Sequence, residues 1–292
     1  MIKKTIVTGM VALMSLAAMA LPAKRGLTNV ITLNDGTKVE VSLVGDEFMH
    51  YWQDANGNKY VPTGEANVFK LADASAVSNL TTRALARKAK AHARRAARRN
   101  LSNATDVFQG KKKGLVILVE FTDVKFKNSD SQTLFNRIAN EAGYNEGYFQ
   151  GSVKDYFLAQ SRGQFELDFD VVGPVKLSHN MKYYGGNDEN GYDLHPEEMI
   201  VEACKGIDSK VDFSKYDWDG DGEVDQVYVI YAGYGEADTG NENTIWPHKY
   251  QLSGASMALT LDGVKVDTYA CSSELNGAGE VGGIGTMCHE FS

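Results

Sequence analysis

Leu115-Val116-Ile117-Leu118-Val119-Glu120-Phe121 is the stretch that decides the fold. A strand with one wet face alternates apolar and polar residues. This run does not alternate, so it predicts a strand buried on both faces. Toward the C-terminus, helices and strands follow it in mixed order. Residues 131–141 predict a helix with Leu134, Phe135 and Ile138 along one side. Ser152 is placed to cap a second helix through Tyr156, Phe157 and Leu158; Gly163 ends it, and residues 164–172 alternate as a strand. Pro196 marks the start of a third helix bearing Met199, Ile200 and Ala203. Residues 226–232 are another apolar strand, Leu259 to Leu261 and Val264 to Tyr269 flank Asp262-Gly263 as a hairpin, and residues 282–292 open a last helix. This mixture predicts an α+β domain over residues 114–292.

Toward the N-terminus the texture changes. In residues 83–113, Arg83, Arg87, Lys88, Lys90, Arg94, Arg95, Arg98 and Arg99 are interleaved with alanines, and Lys111 to Lys113 follow. Alanine and arginine favour helix, but no apolar face is wide enough to bury. The stretch reads as a solvated linker and a protease-sensitive joint. It lacks the interleaved aromatics of a nucleic-acid binder, so no nucleic-acid partner is expected. Before it, residues 21–82 form a β-rich unit. Val30 to Leu33 enter the turn Asn34-Asp35-Gly36, residues 38–43 alternate, and residues 48–52 and 59–61 flank a second polar turn. The chain opens with Lys3 and Lys4, an apolar run from Ile6 to Leu21, and Ala18-Met19-Ala20. That pattern predicts a signal peptide over residues 1–20, hence a secreted, periplasmic or extracellular protein with no membrane span in its mature form.

Charge divides the chain in the same place. Residues 1–113 carry 18 basic and 8 acidic side chains, a net of +10, whereas residues 114–292 carry 12 and 30, a net of −18. Two units of opposite sign are expected to attract each other. The cysteines, Cys204, Cys271 and Cys288, are few and odd in number, and read as buried thiols.

Two motifs carry chemistry. In Asp217-Trp218-Asp219-Gly220-Asp221-Gly222-Glu223-Val224-Asp225, carboxylates at alternate positions converge once glycines let the loop curl. Hard oxygen ligands of this kind suit a structural calcium ion, with Asp217, Asp219, Asp221 and Asp225 as ligands and the Glu223 carbonyl as a further one. Tyr228 stands at the twelfth place, where an EF-hand has glutamate, so the loop feeds a strand instead of a helix. The second motif is Met287-Cys288-His289-Glu290-Phe291-Ser292. In H-E-x-x-H on a helix, two histidines one turn apart bind zinc, and the glutamate activates the bound water. His289 to Ser292 fill the first four places; the fifth would be position 293. His248, in Ile245-Trp246-Pro247-His248, reads as a hydrogen-bonded structural histidine.

Taken together, Gly45 to Trp52, Ser152-Val153-Lys154-Asp155-Tyr156-Phe157, the acidic loop, Ile245 to His248 and Gly285 to Ser292 resemble secreted immune-inhibitor-A-type metalloproteases (peptidase family M6), particularly their Bacteroides-like branch. The resemblance implies a zincin-like N-terminal subdomain, a mixed sheet with helices, preceded by a small β-rich prosegment. It implies a zinc-dependent endopeptidase precursor acting on proteins or peptides, with His289 as first zinc ligand, Glu290 as general base and a structural calcium. The zinc site is incomplete within these residues, so the chain is expected to be cut short inside its motif and inactive as it stands. An exported protease also needs a latent form, and Asp46, Glu47 and His50 are the candidate latency contacts of the prosegment. The alternative is a non-catalytic exported calcium-binding module or adhesin.

Overall fold

Five short strands close into a barrel at the start of the described chain, which in this computed structural model comprises residues 21–65, 67–101 and 107–291. The expected signal peptide, residues 1–20, lies outside them. The strands are β1 (Thr28–Leu33), β2 (Lys38–Asp46), β3 (Met49–Gln53), β4 (Lys59–Pro62) and β5 (Val68–Leu71). Four successive antiparallel pairings make the expected meander, and a parallel pairing of β1 with β5 shuts it. Ile31, Val41, Leu43, Trp52, Tyr60 and Phe69 fill the interior, and Ala237 and Trp246 from the C-terminal part complete that cluster. The barrel therefore shares its core with what it packs against.

Helix α1 (Ala74–Leu101) starts where the Asp73 side chain accepts the Ala76 amide and continues through the basic run. Its cations are not all left to solvent. Arg87 lies over the rings of Tyr192 and Tyr250, and Lys88 reaches Asp46 at 4.0 Å. The charged stretch thus docks through individual side chains where it has no apolar stripe to bury.

Beyond it come β6 (Gly110–Glu120), α2 (Ser131–Asn140), α3 (Val153–Gln160), β7 (Phe165–Lys176), α4 (Met181–Gly185), α5 (Pro196–Ile207), β8 (Val227–Tyr234), α6 (Glu236–Thr239), β9 (His248–Gln251), the hairpin β10 (Leu259–Leu261) and β11 (Val264–Val266), β12 (Thr268–Leu275) and α7 (Ile284–Phe291). The main sheet runs β7-β6-β8-β12-β9, parallel except for its edge strand β9. The apolar run sits near its centre, and Leu115 to Val119 are fully buried. Leu115, Ile117 and Val119 face a core with α5 residues Met199, Ile200, Ala203 and Cys204. Val116 and Leu118 face the opposite core with Phe135, Phe157, Met287 and Phe291. Burial of such a side chain contributes about 1.5–3 kcal/mol, so both faces of one strand stabilise two layers at once. Ser152 caps α3 in a reciprocal capping box with Asp155. The three cysteines are buried free thiols. No helix among the described residues is long and apolar enough to cross a membrane.

Candidate functional site

Helix α7 brings His289 and Glu290 to the sheet. Its apolar side, Met287, Cys288 and Phe291, is buried, with Phe291 stacked on Tyr228 at 5.6 Å and edge-on to Phe169 at 5.2 Å. This packing fixes the rotation of the helix. Glu290 is left only 3% exposed, while His289 is half-buried. Lys249 of the edge strand donates Nζ to the Glu290 carbonyl at 2.7 Å, tying the end of the helix to β9.

The β2–β3 turn of the barrel comes to the same region. Gly45 makes it possible: its φ is +125°, and a Cβ there would lie 2.0 Å from the Met49 carbonyl. Asp46 accepts the amides of Phe48 and Met49, which spends its carboxylate on the turn itself. Glu47, at the tip, lines a cleft with Phe48, Arg87, Tyr192 and Lys249. Burial, and then the charge of Glu290, push its pKa up to about 8. Of the three candidate latency contacts, Glu47 is therefore the one that feels the charge of Glu290, whereas Asp46 orders its own turn.

His50 is turned elsewhere. Its ring stacks on Trp246 at a centroid distance of 4.2 Å and a 14° tilt, and Nε2 lies 3.5 Å from Glu236 Oε1. Asn187 donates to the same Glu236 oxygen at 2.9 Å, Tyr192 donates its hydroxyl to the Phe48 carbonyl at 3.0 Å, and Trp246 donates its indole N–H to the Leu21 carbonyl at 3.3 Å. The barrel is thus held by aromatic and hydrogen-bonded contacts. Glu236 and Asn187 were not singled out by the sequence. No spacing in the sequence links Glu236 to His50.

His248 is the structural histidine expected: buried, bonded through Nδ1 to the Trp246 carbonyl at 2.7 Å and through Nε2 to the Tyr269 hydroxyl at 2.9 Å. Burial pushes its pKa down to about 4, which keeps it neutral.

The acidic loop joins a short 3-10 turn, Phe213–Tyr216, to β8. Gly220 and Gly222, both at positive φ, let it curl. Carboxylate oxygens of Asp217, Asp219 and Asp225 converge to within 4.8 Å of one another. Asp221 is not in that group and accepts the Glu223 amide at 2.8 Å; the Glu223 carboxylate pairs with Lys265 at 3.1 Å. Lys265 also reaches Asp267 at 2.7 Å, and its backbone bonds Gly222 and Val224, so the β10–β11 hairpin braces the loop. Three hard oxygen donors fit a calcium ion.

For zinc, the donor set is smaller. Among the described residues, Asp217, Asp219 and Asp225 form the only grouping of three metal-ligating side chains, and His289 is not part of it. His289 could offer a zinc ion an imidazole nitrogen, the ligand type such sites use.

Comparison with known proteins gives a concordant result. The profile of the immune inhibitor A peptidase M6 catalytic domain matches residues 102–292. Immune inhibitor A of Bacillus thuringiensis subsp. alesti is 25% identical over 219 residues, covering 62% of this chain and 32% of that protein. The chain spans about a third of the length of that relative.

Proposed function

The chain belongs to the immune inhibitor A peptidase M6 family, a family of metallopeptidases that act on proteins, and we propose that it is the precursor part of an exported, zinc-dependent endopeptidase. The observation that carries the reading is the helix α7 pair. Glu290 is buried and held at its carbonyl by Lys249, beside a half-buried His289. In this reading His289 is the first zinc ligand and Glu290 the general base, taking a proton at a carboxylate oxygen. Zinc, when bound, supplies the polarised water of peptide hydrolysis. The prosegment, residues 21–82, keeps the site latent, with Glu47 as the contact that enters the cleft, and the basic stretch 83–113 is the cleavable joint.

The test compares two polypeptides, one of these 292 residues and one continued through position 293 and beyond. The longer form is expected to hydrolyse azocasein after prosegment cleavage, to stop with chelator, and to lose about 100-fold or more on Glu290→Gln. Chelator-sensitive hydrolysis by the shorter form, or full activity of the Gln variant, would overturn these assignments.

A second reading is favoured by the acidic loop, whose carboxylates are the ones already converged. By it, these residues alone act as a calcium-binding module. Calcium binding without any peptidase activity in the longer form would select it.

A further inference from the structure

We propose that His50 and Glu236, paired over the ring of Trp246, form a proton-dependent clamp that holds the N-terminal barrel on the C-terminal part and lets go as the solution turns alkaline. The clamp rests on the docking geometry alone and needs no peptidase activity.

The two ring nitrogens of His50 both face acceptors. Nδ1 lies 3.4 Å from the Asp46 carbonyl, and Nε2 lies 3.5 Å from Glu236 Oε1. A neutral imidazole has one N–H, so it can serve only one of them, and the other then meets a lone pair. The imidazolium has two, one for the Asp46 carbonyl, and its charge faces Glu236 across 3.5 Å, a contact that is an ion pair and not a hydrogen bond. Its third neighbour is the Trp246 face, stacked at 4.2 Å, which attracts a cation more than a neutral ring. Side-chain exposure is 9% for His50 and 2% for Glu236, so water cannot stand in for a missing proton. Glu236 is itself poorly supplied: Oε1 has Asn187, whereas Oε2 is buried with no hydrogen-bond partner among the described residues. Such a carboxylate depends on a nearby positive charge. Gly191 closes the far side, where a Cβ would stand 3.3 Å from His50 Nε2.

The charged surroundings work in one direction. Glu236 on α6 and, more distantly, Glu242 after it raise the affinity of His50 for a proton against the opposing effect of burial. Burial, and then Glu236, push Glu242 up to about 7, and push Asp193, which lies under Trp246, well above the carboxylate range. Arg87 of α1 acts on Asp193 in the opposite sense. Asp46 and Glu47 flank His50 on the barrel side, and the Asp46 carboxylate is shared between its turn and Lys88 of α1. His248 stays neutral down to about 4, so its own charge in the docked state does not change across the alkaline rise. The docked state thus holds protons that the undocked state gives up. For His50 the sign is that of a raised pKa: its contribution is complete below the free value of 6.5 and is lost as pH rises through the docked value. The raised acids lose stability over the same rise, so the effects add.

Hydrogen exchange on the intact chain tests this, with labelling times scaled to the intrinsic rate at each pH. Peptides covering β3 are compared with peptides covering β8, which serve as an internal reference. Between about pH 5.5 and pH 8.5, protection of β3 relative to β8 is expected to fall as the pH rises. In His50→Gln, β3 should be less protected at the lower pH and show a smaller fall, that of the raised acids alone. Glu236→Gln, which keeps a hydrogen-bond acceptor, should likewise flatten the dependence. Wild-type protection that does not change with pH overturns the proposal, and so does a full pH dependence in either variant. Intact β8 protection shows in each case that the main sheet is folded.

Discussion

Lys249 and Glu290 meet through a side chain and a main-chain carbonyl, 2.7 Å apart, so that the sheet edge is tied to the helix bearing the proposed base. A lysine N–H donated to a main-chain carbonyl is a charge-assisted hydrogen bond, stronger than a neutral one. Lys249→Met keeps the stem and removes the donor. It is expected to cost about 1–2 kcal/mol, read as a lower urea midpoint at unchanged slope. An unchanged midpoint would mean that packing by Phe291 alone fixes the helix.

Calcium should bind at Asp217, Asp219 and Asp225. Saturation at about 100 times the dissociation constant stabilises the fold by about 2.7 kcal/mol. Asp219→Ala should abolish both the heat of binding and the thermal shift, whereas Asp221→Ala, whose carboxylate lies outside the converged group, should weaken binding less. Equal loss in the two variants would return Asp221 to the ligand set expected from spacing.

His248 gives the opposite pH sign to His50. Its pKa is depressed to about 4, so its contribution is complete above the free value of 6.5 and is lost as pH falls toward 4. Within that window the unfolded chain takes a proton that the folded chain refuses, which costs about 1.4 kcal/mol per pH unit. His248→Gln should flatten the stability profile between those values, and denaturant titrations at several pH values would show whether it does. A wild-type slope retained in the variant would contradict it.

Gly240 should be intolerant of a side chain because of what the barrel brings. Its φ is +65°, and a Cβ would stand 2.5 Å from the Trp52 ring. Gly240→Ala is expected to loosen the barrel, seen as faster exchange or proteolysis in residues 28–71, while β6 and β8 keep their protection. Equal loosening of the main sheet would show that the two parts do not open separately.

Latency is expected to depend on Glu47. In the chain continued past position 292, Glu47→Ala should raise casein hydrolysis before any cleavage of the basic stretch, and high salt should speed release of the cleaved prosegment. Release that brings no gain in activity would reduce the prosegment to a folding aid.

The sequence by itself determined the local elements and the chemistry they carry. The unbroken run 115–121 required a strand covered on both sides, and Val116 and Ile117 do enter opposite cores. Ser152, Pro196 and Asp262-Gly263 marked element ends because caps and turns are set by a few neighbouring residues. The aspartate spacing and the pair His289-Glu290 were legible for the same reason: their partners lie within one loop or one helical turn. Only the tertiary structure decided how the parts meet. Closing the barrel by pairing β1 with β5, placing β9 antiparallel at the sheet edge, and setting His50 on Trp246 beside Glu236 all join residues far apart in the chain. Periodicity and turn chemistry report each residue's nearest neighbours along the chain. They carry no information about which distant surface will exclude water from it. That exclusion gives His50 two acceptors and Glu47 a neighbour in Glu290, and it appears only once the barrel and the main sheet share a core.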